Sequence, residues 1–294
     1  MTILIVGGDS QLAKEFVKLE KDKVILTTRR EKSDDIKQTN CIYLDLLSVD
    51  DFKIPDKVDK AIIMGGVTSY NECMNNYDYA YSINCVSIPK LVKKLLNNDI
   101  FTCFVSSNTV FQSQEKIPNE HSIPNPGFEY ARMKLETESK ITNISVSLRK
   151  CHLLSIFRMT KNVSCSTSPF NQWISDIRNN KEITAFKDLF FSPIRFEDST
   201  RALSKIINNR FPGVYHISGE KDINYSDFAV AFLDYLGKDN NVKAILSTDV
   251  GVNLVYNHHI TALSMKYSKK DIGFDKIQLK YIYSYFQYCL EEVK

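Results

Sequence analysis

Hydrophobic positions recur in a regular rhythm along the first half of the chain. Ile3-Leu4-Ile5-Val6 is a continuous apolar run that stops at Gly7-Gly8, the pattern of a strand buried on both faces. Beyond that turn Leu12, Ala13, Phe16, Val17 and Leu19 fall at helical spacing, with Lys14, Glu15, Lys18 and Glu20 outside them, which predicts an amphipathic helix. Further strands are predicted over 23–28, 41–44, 60–64, 101–106 and 144–151, the last carrying Arg149. Helices are predicted over 73–97, with a kink near Pro89, and over 128–140, just after the breakers Pro124, Pro126 and Gly127. Strands alternating with helices across residues 1–150 predict an α/β fold built on a doubly wound parallel sheet.

Past Cys151 the rhythm changes. A Ser/Thr/Asn-rich stretch over 160–168 precedes a helix over 170–180 and irregular sequence through Ser192-Pro193. Gly213-Val214-Tyr215-His216-Ile217-Ser218-Gly219 reads as a strand with a glycine at each end, and an amphipathic helix over 225–236 stops at Gly237. A strand over 242–246 and a helix over 279–292 complete the chain. The expected division is a first domain of residues 1–150, completed by about 191–218, and a smaller α/β lobe made of 151–190 and 219–294.

Composition narrows the function classes. The 294 residues are 43% hydrophobic, ample for a large core, and a net charge of +3 is too near balance to point to nucleic acid or an anionic membrane. The longest apolar runs fall far short of the roughly 20 residues that span a bilayer, and Met1-Thr2-Ile3-Leu4 lacks the charged start of a signal peptide. Seven cysteines stand singly with no Cys-x-x-Cys pair, which suggests neither a disulfide framework nor a metal site and is read as a reducing cytoplasm. The sequons at Asn143 and Asn162 are then accidental.

Candidate chemistry begins at the first turn. Gly7-Gly8-Asp9-Ser10-Gln11-Leu12-Ala13 lies between a buried strand and a helix, where free backbone N–H groups and the helix dipole favour a pyrophosphate. A Gly-x-x-Gly-x-x-Gly frame lands on Gly7, Ser10 and Ala13; all are small, although Ser10 reaches a left-handed conformation less cheaply than glycine. At the end of the second strand, where a carboxylate would bond a ribose 2′-hydroxyl, Arg29 and Arg30 stand and no acid precedes Glu31. Two guanidinium groups suit the 2′-phosphate of NADPH, with NAD as the alternative cofactor; the other reading is two solvated strand-end residues. Asp45, followed by Leu46, is either an acceptor for the adenine amino group or a strand-end turn residue. Met64-Gly65-Gly66 closes a strand with small residues that let a cofactor lie against the backbone, and Asn84, set among Ile83, Val86 and Ile88, is a core amide that bonds backbone or orders water.

Ser107 puts a hydroxyl at the carboxyl end of the strand over 101–106, while Tyr130 and Lys134, spaced i, i+4, share one face of a helix. A phenol with a pKa of about 10 is a poor acid or base at neutral pH, and a nearby ammonium favours its phenolate. Strand ends line the ligand crevice of an open α/β sheet, so these three residues can converge there.

Together, Ser107, the Tyr-x-x-x-Lys of 130–134, the altered glycine turn and the late Gly-Val-Tyr-His-Ile-Ser-Gly resemble an extended short-chain dehydrogenase/reductase, in the branch of the dTDP-4-dehydrorhamnose reductases. Gly7-x-x-Ser10-Gln11-Leu12-Ala13 matches that group's Gly-x-x-Gly-Gln-x-Gly turn with two glycines replaced. Ser106 to Phe111 match its catalytic strand end, Asn84 its helix Asn, Leu148-Arg149 its Leu-Arg, and Ser192-Pro193 its Ser-Pro-Thr. The resemblance implies a Rossmann domain with a substrate-binding lobe, NADP as cofactor, and NADPH-dependent reduction of a nucleotide-activated 4-keto-6-deoxy sugar. By it Tyr130 exchanges a proton with the substrate oxygen, Ser107 holds that oxygen, Lys134 bonds the nicotinamide ribose and lowers the Tyr130 pKa, and Asn84 orders what lies behind. Asn108, His152 and Arg195 would join Ser107 and Tyr130 in binding the substrate. The expected partner is a nucleotide-sugar, with no nucleic acid or membrane, in a monomer or homodimer. A nucleotide-sugar epimerase or dehydratase that retains NAD shares these motifs, as does a non-catalytic NADP-binding regulator. The two arginines and the short second lobe argue against the first, and the intact triad argues against the second.

Overall fold

The computed structural model describes residues 2–20, 24–30, 40–111, 116–251 and 260–292; Lys23 and Glu31 lie outside them. In chain order the first half contains β1 (Thr2–Val6), α1 (Gln11–Glu20), β2 (Val24–Thr28), β3 (Cys41–Tyr43), β4 (Val58–Ile63), α2 (Tyr70–Asn75), α3 (Tyr77–Tyr81), α4 (Ile88–Asn97), β5 (Phe101–Ser107), α5 (Glu129–Ser147) and β6 (Leu154–Met159). There follow β7 (Lys161–Val163), α6 (Phe170–Arg178), β8 (Ile183–Phe186), β9 (Phe190–Phe191), β10 (Pro193–Arg195), α7 (Phe196–Asn209), β11 (Gly213–Ile217), β12 (Ile223–Asn224), α8 (Tyr225–Tyr235), β13 (Val242–Ile245), α9 (Lys266–Ile272) and α10 (Leu279–Glu292). Two compact units divide these residues: 1–110, 124–158 and 199–215 in one, and 111–123, 159–198 and 216–294 in the other.

A seven-stranded parallel sheet in the order β11-β6-β5-β4-β1-β2-β3 is the frame. β1 pairs in parallel with β2 on one side, Leu4 opposite Ile25, and with β4 on the other, Leu4 opposite Ala61. Winding therefore reverses at β1, and in such sheets ligands bind beyond the carboxyl ends of the strands at the reversal. Ile3, Leu4, Ile5 and Val6 are all at most 1% exposed, as a strand covered by helices on both faces requires. Leu4, Val6, Ile63 and Phe104 pack with Leu91, Val92, Leu95 and Leu96 of α4 into one apolar cluster.

Several expectations need correction. The strand predicted over 144–151 does not form: Ile144 to Ser147 extend α5, and the sixth strand is Leu154–Met159. Ile144-Ser145-Val146-Ser147 alternates like a strand, but Ile141 and Ser145 continue the buried stripe of Tyr130, Lys134 and Glu138 at helical spacing, and that packing prevails. Arg149 consequently stands in a turn with φ +57°, and the arginine within the strand is Arg158. The helix expected over 73–97 is broken into α2, α3, a π-helical turn over Ser82–Ser87 and α4, with Pro89 in the first turn of α4.

The second unit has an aromatic core. Phe170 lies 5.2 Å from Trp173 and 5.2 Å from Phe286, while Phe228 packs at 5.4 Å on Phe191 and 5.1 Å on Tyr283, all centroid to centroid. Around it stand three two-stranded sheets, β10-β7, β12-β9 and β13-β8. Residues 111–123, which the sequence reading gave to the first domain, join this unit: Ser264 N–H donates to the Pro118 carbonyl at 2.8 Å, and Tyr267 N–H to Glu120 at 3.3 Å. Cys165 and Cys289, 124 residues apart, form a disulfide. No disulfide was expected, because spacing along the chain cannot reveal a pair brought together by the fold; the cysteine pattern no longer argues for a reducing compartment. No helix among the described residues is long and apolar enough to cross a membrane.

Candidate active site

The turn after β1 is a cradle from which side chains are excluded. Gly7 has φ +89°, and a Cβ on it would lie 2.6 Å from the Gly65 Cα, so the ends of β1 and β4 meet backbone to backbone. Met64 and Gly65 N–H both donate to the Val6 carbonyl, at 2.9 and 2.7 Å. Gly66, at φ +140°, is equally closed, since a Cβ there would meet Asn84 Oδ1 at 2.7 Å. Ser10 is not among the positive-φ residues. Its Oγ accepts from Ala13 N–H at 3.2 Å, so the serine caps α1 instead of imitating a glycine. Gln11 and Leu12 occupy the first turn, ahead of the bond from Lys14 N–H to the Ser10 carbonyl at 3.0 Å; N–H groups there suit an anion. Closed glycine contacts beside a helix N-terminus at the sheet's reversal fit a dinucleotide pyrophosphate.

At the end of β2 the charges are mixed. Thr28 Oγ1 donates to Asp9 Oδ2 at 2.8 Å, tying the glycine turn to the strand end. Arg30 Nε lies 4.0 Å from Asp9 Oδ1, with the two side chains 76% and 49% exposed. Arg29 Nη1 donates to the Tyr79 hydroxyl at 2.7 Å. Asp45 caps the short helix of Leu46–Ser48, accepting from Leu47 N–H at 3.0 Å, and Leu46 is buried.

The side chains expected to carry the chemistry lie on β5 and α5. Tyr130, Lys134, Glu138 and Ile141 form one buried stripe of α5, which turns polar groups inward. Ser107 ends β5; its Oγ donates to Asn108 Oδ1 at 3.2 Å, accepts from the Thr109 hydroxyl at 3.0 Å, and is a hydrogen-bond partner of Tyr130. Burial raises the Tyr130 pKa well above the ordinary range, and Tyr70 and Cys73 add to the rise against the Ser107 bond. Burial likewise lowers Lys134 to about 8, opposed chiefly by the charge of Glu138. Lys134 Nζ donates to the Val105 carbonyl at 2.9 Å and sits 4.7 Å over the Phe104 ring and 5.8 Å over the Tyr130 ring. The ammonium is thus near the phenol, as the spacing implies, but desolvation decides the direction of both shifts. Asn84, in the π-helical turn, bonds the backbone: Oδ1 accepts from Val67 N–H and Nδ2 donates to the Val67 carbonyl, both at 2.9 Å. Its own carbonyl accepts from Thr137 Oγ1 at 2.8 Å, which links the Gly65-Gly66 end of β4 to α5.

Comparison with known families decides the lineage. The sequence model described as the RmlD substrate binding domain matches residues 1–276. The chain belongs to that family. No curated protein matches it in sequence. Among solved structures, it is similar to a dTDP-4-dehydrorhamnose reductase from Clostridium acetobutylicum, with TM-score 0.78 and 22% identity over 98% of this chain and 99% of that one. It is also similar to a dTDP-4-dehydrorhamnose reductase from Bacillus anthracis in complex with NADP, with TM-score 0.75 and 17% identity over 98% and 99% of the two chains. A dTDP-glucose 4,6-dehydratase from Streptomyces venezuelae with NAD bound gives TM-score 0.77 and 13% identity over 99% and 98%. At these identities the likeness establishes the fold.

Other expected site residues of this RmlD-family chain lie elsewhere. His152 is exposed in the turn that enters β6, at the strand's amino end, whereas Ser107 closes β5 at its carboxyl end; a parallel sheet puts those ends on opposite edges. The structure therefore does not bring His152 to Ser107. Arg195 belongs to the second unit, where Asp198 holds its guanidinium through bonds of 2.8 and 2.7 Å. Leu148-Arg149 follow the end of α5 and lie in no strand; the arginine inside the sixth strand is Arg158, bonded to Glu138 by Nε at 3.1 and 3.2 Å. Sequence reading also missed Asp9 and Tyr70. Asp9 sits inside the glycine turn with nothing to show that its carboxylate reaches β2, and Tyr70, the first residue of α2, brings its ring 5.2 Å from that of Tyr130.

Proposed function

We propose that the protein is an NADPH-dependent oxidoreductase of the short-chain dehydrogenase/reductase type that reduces the keto group of a nucleotide-activated 4-keto-6-deoxy sugar. What supports this reading is that Ser107, half-buried at the end of β5, and Tyr130 and Lys134, buried on α5, lie together and are tied through Asn84 to the glycine cradle. Gly7, Ser10, Gln11 and Leu12 would hold the pyrophosphate, Gly65 and Gly66 would leave room along β4, Asp45 and Leu46 would face the adenine, Arg29 and Arg30 a 2′-phosphate, and Lys134 the nicotinamide ribose. A bound nicotinamide supplies the hydride.

The chain's own groups manage the proton. Burial keeps Tyr130 protonated, so it enters the reaction as an acid and gives its proton to the carbonyl oxygen as negative charge grows there. Ser107 Oγ can donate to that same oxygen. Lys134 presents a cation to the phenolate left behind. Incubating the purified protein with NADPH and a dTDP-4-keto-6-deoxy sugar should oxidise the cofactor mole for mole with the alcohol formed. Tightly held NAD that travels with the protein, with no net NADPH oxidation, would point to an epimerase or dehydratase; NADPH binding without turnover of any nucleotide-sugar would leave an NADP-binding regulator.

A further inference from the structure

The end of β2 holds a carboxylate as well as two guanidinium groups, and it comes from the glycine turn. Asp9 is fixed by the Thr28 hydroxyl at 2.8 Å, and Thr28 Oγ1 accepts from Arg30 N–H at 3.1 Å, so the carboxylate and the backbone of the arginine pair share one anchor. The Arg30 guanidinium reaches only to 4.0 Å from that carboxylate, and Arg29 is bonded to Tyr79. The charge of Asp9 reaches neighbouring β3 as well, adding to the rise that burial gives the Cys41 thiol. A carboxylate here accepts from a ribose 2′-hydroxyl, and it repels a 2′-phosphate carrying close to two negative charges. The two guanidinium groups do the reverse.

We propose that Asp9 is a specificity-determining residue, whose carboxylate holds down the preference for NADPH that Arg29 and Arg30 create and makes NADH an acceptable ligand. The inference rests on the reading of a nicotinamide dinucleotide site, but not on which dinucleotide is preferred.

Asp9→Asn keeps an acceptor for Thr28 and removes the charge. Calorimetric binding of NADPH, NADH, 2′-AMP and 5′-AMP to the wild type and this variant reads the effect without turnover. At low salt NADPH and 2′-AMP should bind the variant about five- to tenfold tighter, the scale of one exposed charge interaction of about 1 kcal/mol, and the gain should shrink as salt is added. NADH and 5′-AMP should bind no tighter. Asp9→Ser, with melting temperatures for both variants, guards against a folding defect and should move the ratio in the same direction. An NADPH to NADH affinity ratio unchanged within about twofold in both variants at low salt overturns the role of Asp9, and leaves the NADPH reading standing if the wild type prefers NADPH. A wild type that prefers NADH, with the preference reversed in Asp9→Asn, supports the role of Asp9 and removes the NADPH reading. Binding of neither dinucleotide overturns both.

Discussion

Within the first unit, the buried face of α5 and the exposed end of β2 handle charge in opposite ways. Tyr130 and Lys134 are 8% and 7% exposed, and desolvation outweighs the neighbours that oppose it, Ser107 at the phenol and chiefly Glu138 at the ammonium: the phenol is pushed up and the ammonium is lowered to about 8. At β2 the Arg30 and Asp9 side chains are 76% and 49% exposed, and water and salt screen whatever they do. A buried group fixes a protonation state and hence a rate; an exposed group biases a choice between two ligands by about 1 kcal/mol for each charge. The same residue types therefore call for different tests at the two places.

The largest effect is expected at the buried face. Tyr130→Phe should lower turnover about a hundredfold or more, the scale of a lost positioned acid, with fold and NADPH affinity unchanged. Near wild-type turnover in steady-state kinetics would remove Tyr130 from the chemistry. Asn84→Leu should come next, because it strands the Val67 N–H and carbonyl that the amide now bonds. A loss of about 1 to 3 kcal/mol in denaturant unfolding is expected from two part-buried backbone groups left without their partner; an unaltered midpoint would show that water or a shifted loop replaces the amide.

Lys134 sharpens the comparison through pH. Its proton leaves the folded protein as pH rises through about 8 instead of the ordinary 10.5. NADPH affinity that depends on the ammonium should therefore weaken above pH 8 in the wild type, and Lys134→Met should show roughly tenfold weaker binding with no such step. The stability contribution has the opposite sense. Between about 8 and 10.5 the unfolded chain binds more protons at this residue than the folded one, so the Lys134 term raises stability as pH rises through that window. A binding curve flat from pH 7 to pH 10 in the wild type would mean that the ammonium plays no part.

How much of this the sequence discloses follows the same division. The run Ile3 to Val6, the small residues at 7, 65 and 66, and the i, i+4 pair Tyr130 and Lys134 are local signals whose meaning survives folding, and the sheet and the glycine cradle were legible from them. What depends on contacts between distant residues was not. Nothing in Ile144 to Ser147 says that Ile141 and Ser145 keep packing at helical spacing, which displaced the predicted strand and with it Arg149 and His152. Nothing in Asp9 announces Thr28, and nothing in Cys165 announces Cys289. The raised pKa of Tyr130 was not legible for the same reason: spacing shows the ammonium, while the burial that raises the phenol is a property of the whole stripe.

The smallest effect is expected at Arg29 and Arg30. A guanidinium meets a phosphate through a forked, charge-assisted pair that a ribose hydroxyl cannot match. Taken alone, two such groups favour NADPH over NADH by about ten- to hundredfold. Here Arg29 is bonded to the Tyr79 hydroxyl at 2.7 Å and Arg30 stands beside Asp9, so part of that attraction is already committed. Replacing both by Ala should therefore weaken NADPH about three- to tenfold at low salt and leave NADH nearly unchanged, with the difference fading as ionic strength rises. Kinetics with each cofactor at low and high salt measure this directly. Equal losses for NADPH and NADH would mean that the arginines support the adenosine as a whole or the fold, and not the 2′-phosphate; no loss for either would make them solvated strand-end residues and leave the exposed end of the site with Asp9 alone to act on the ribose.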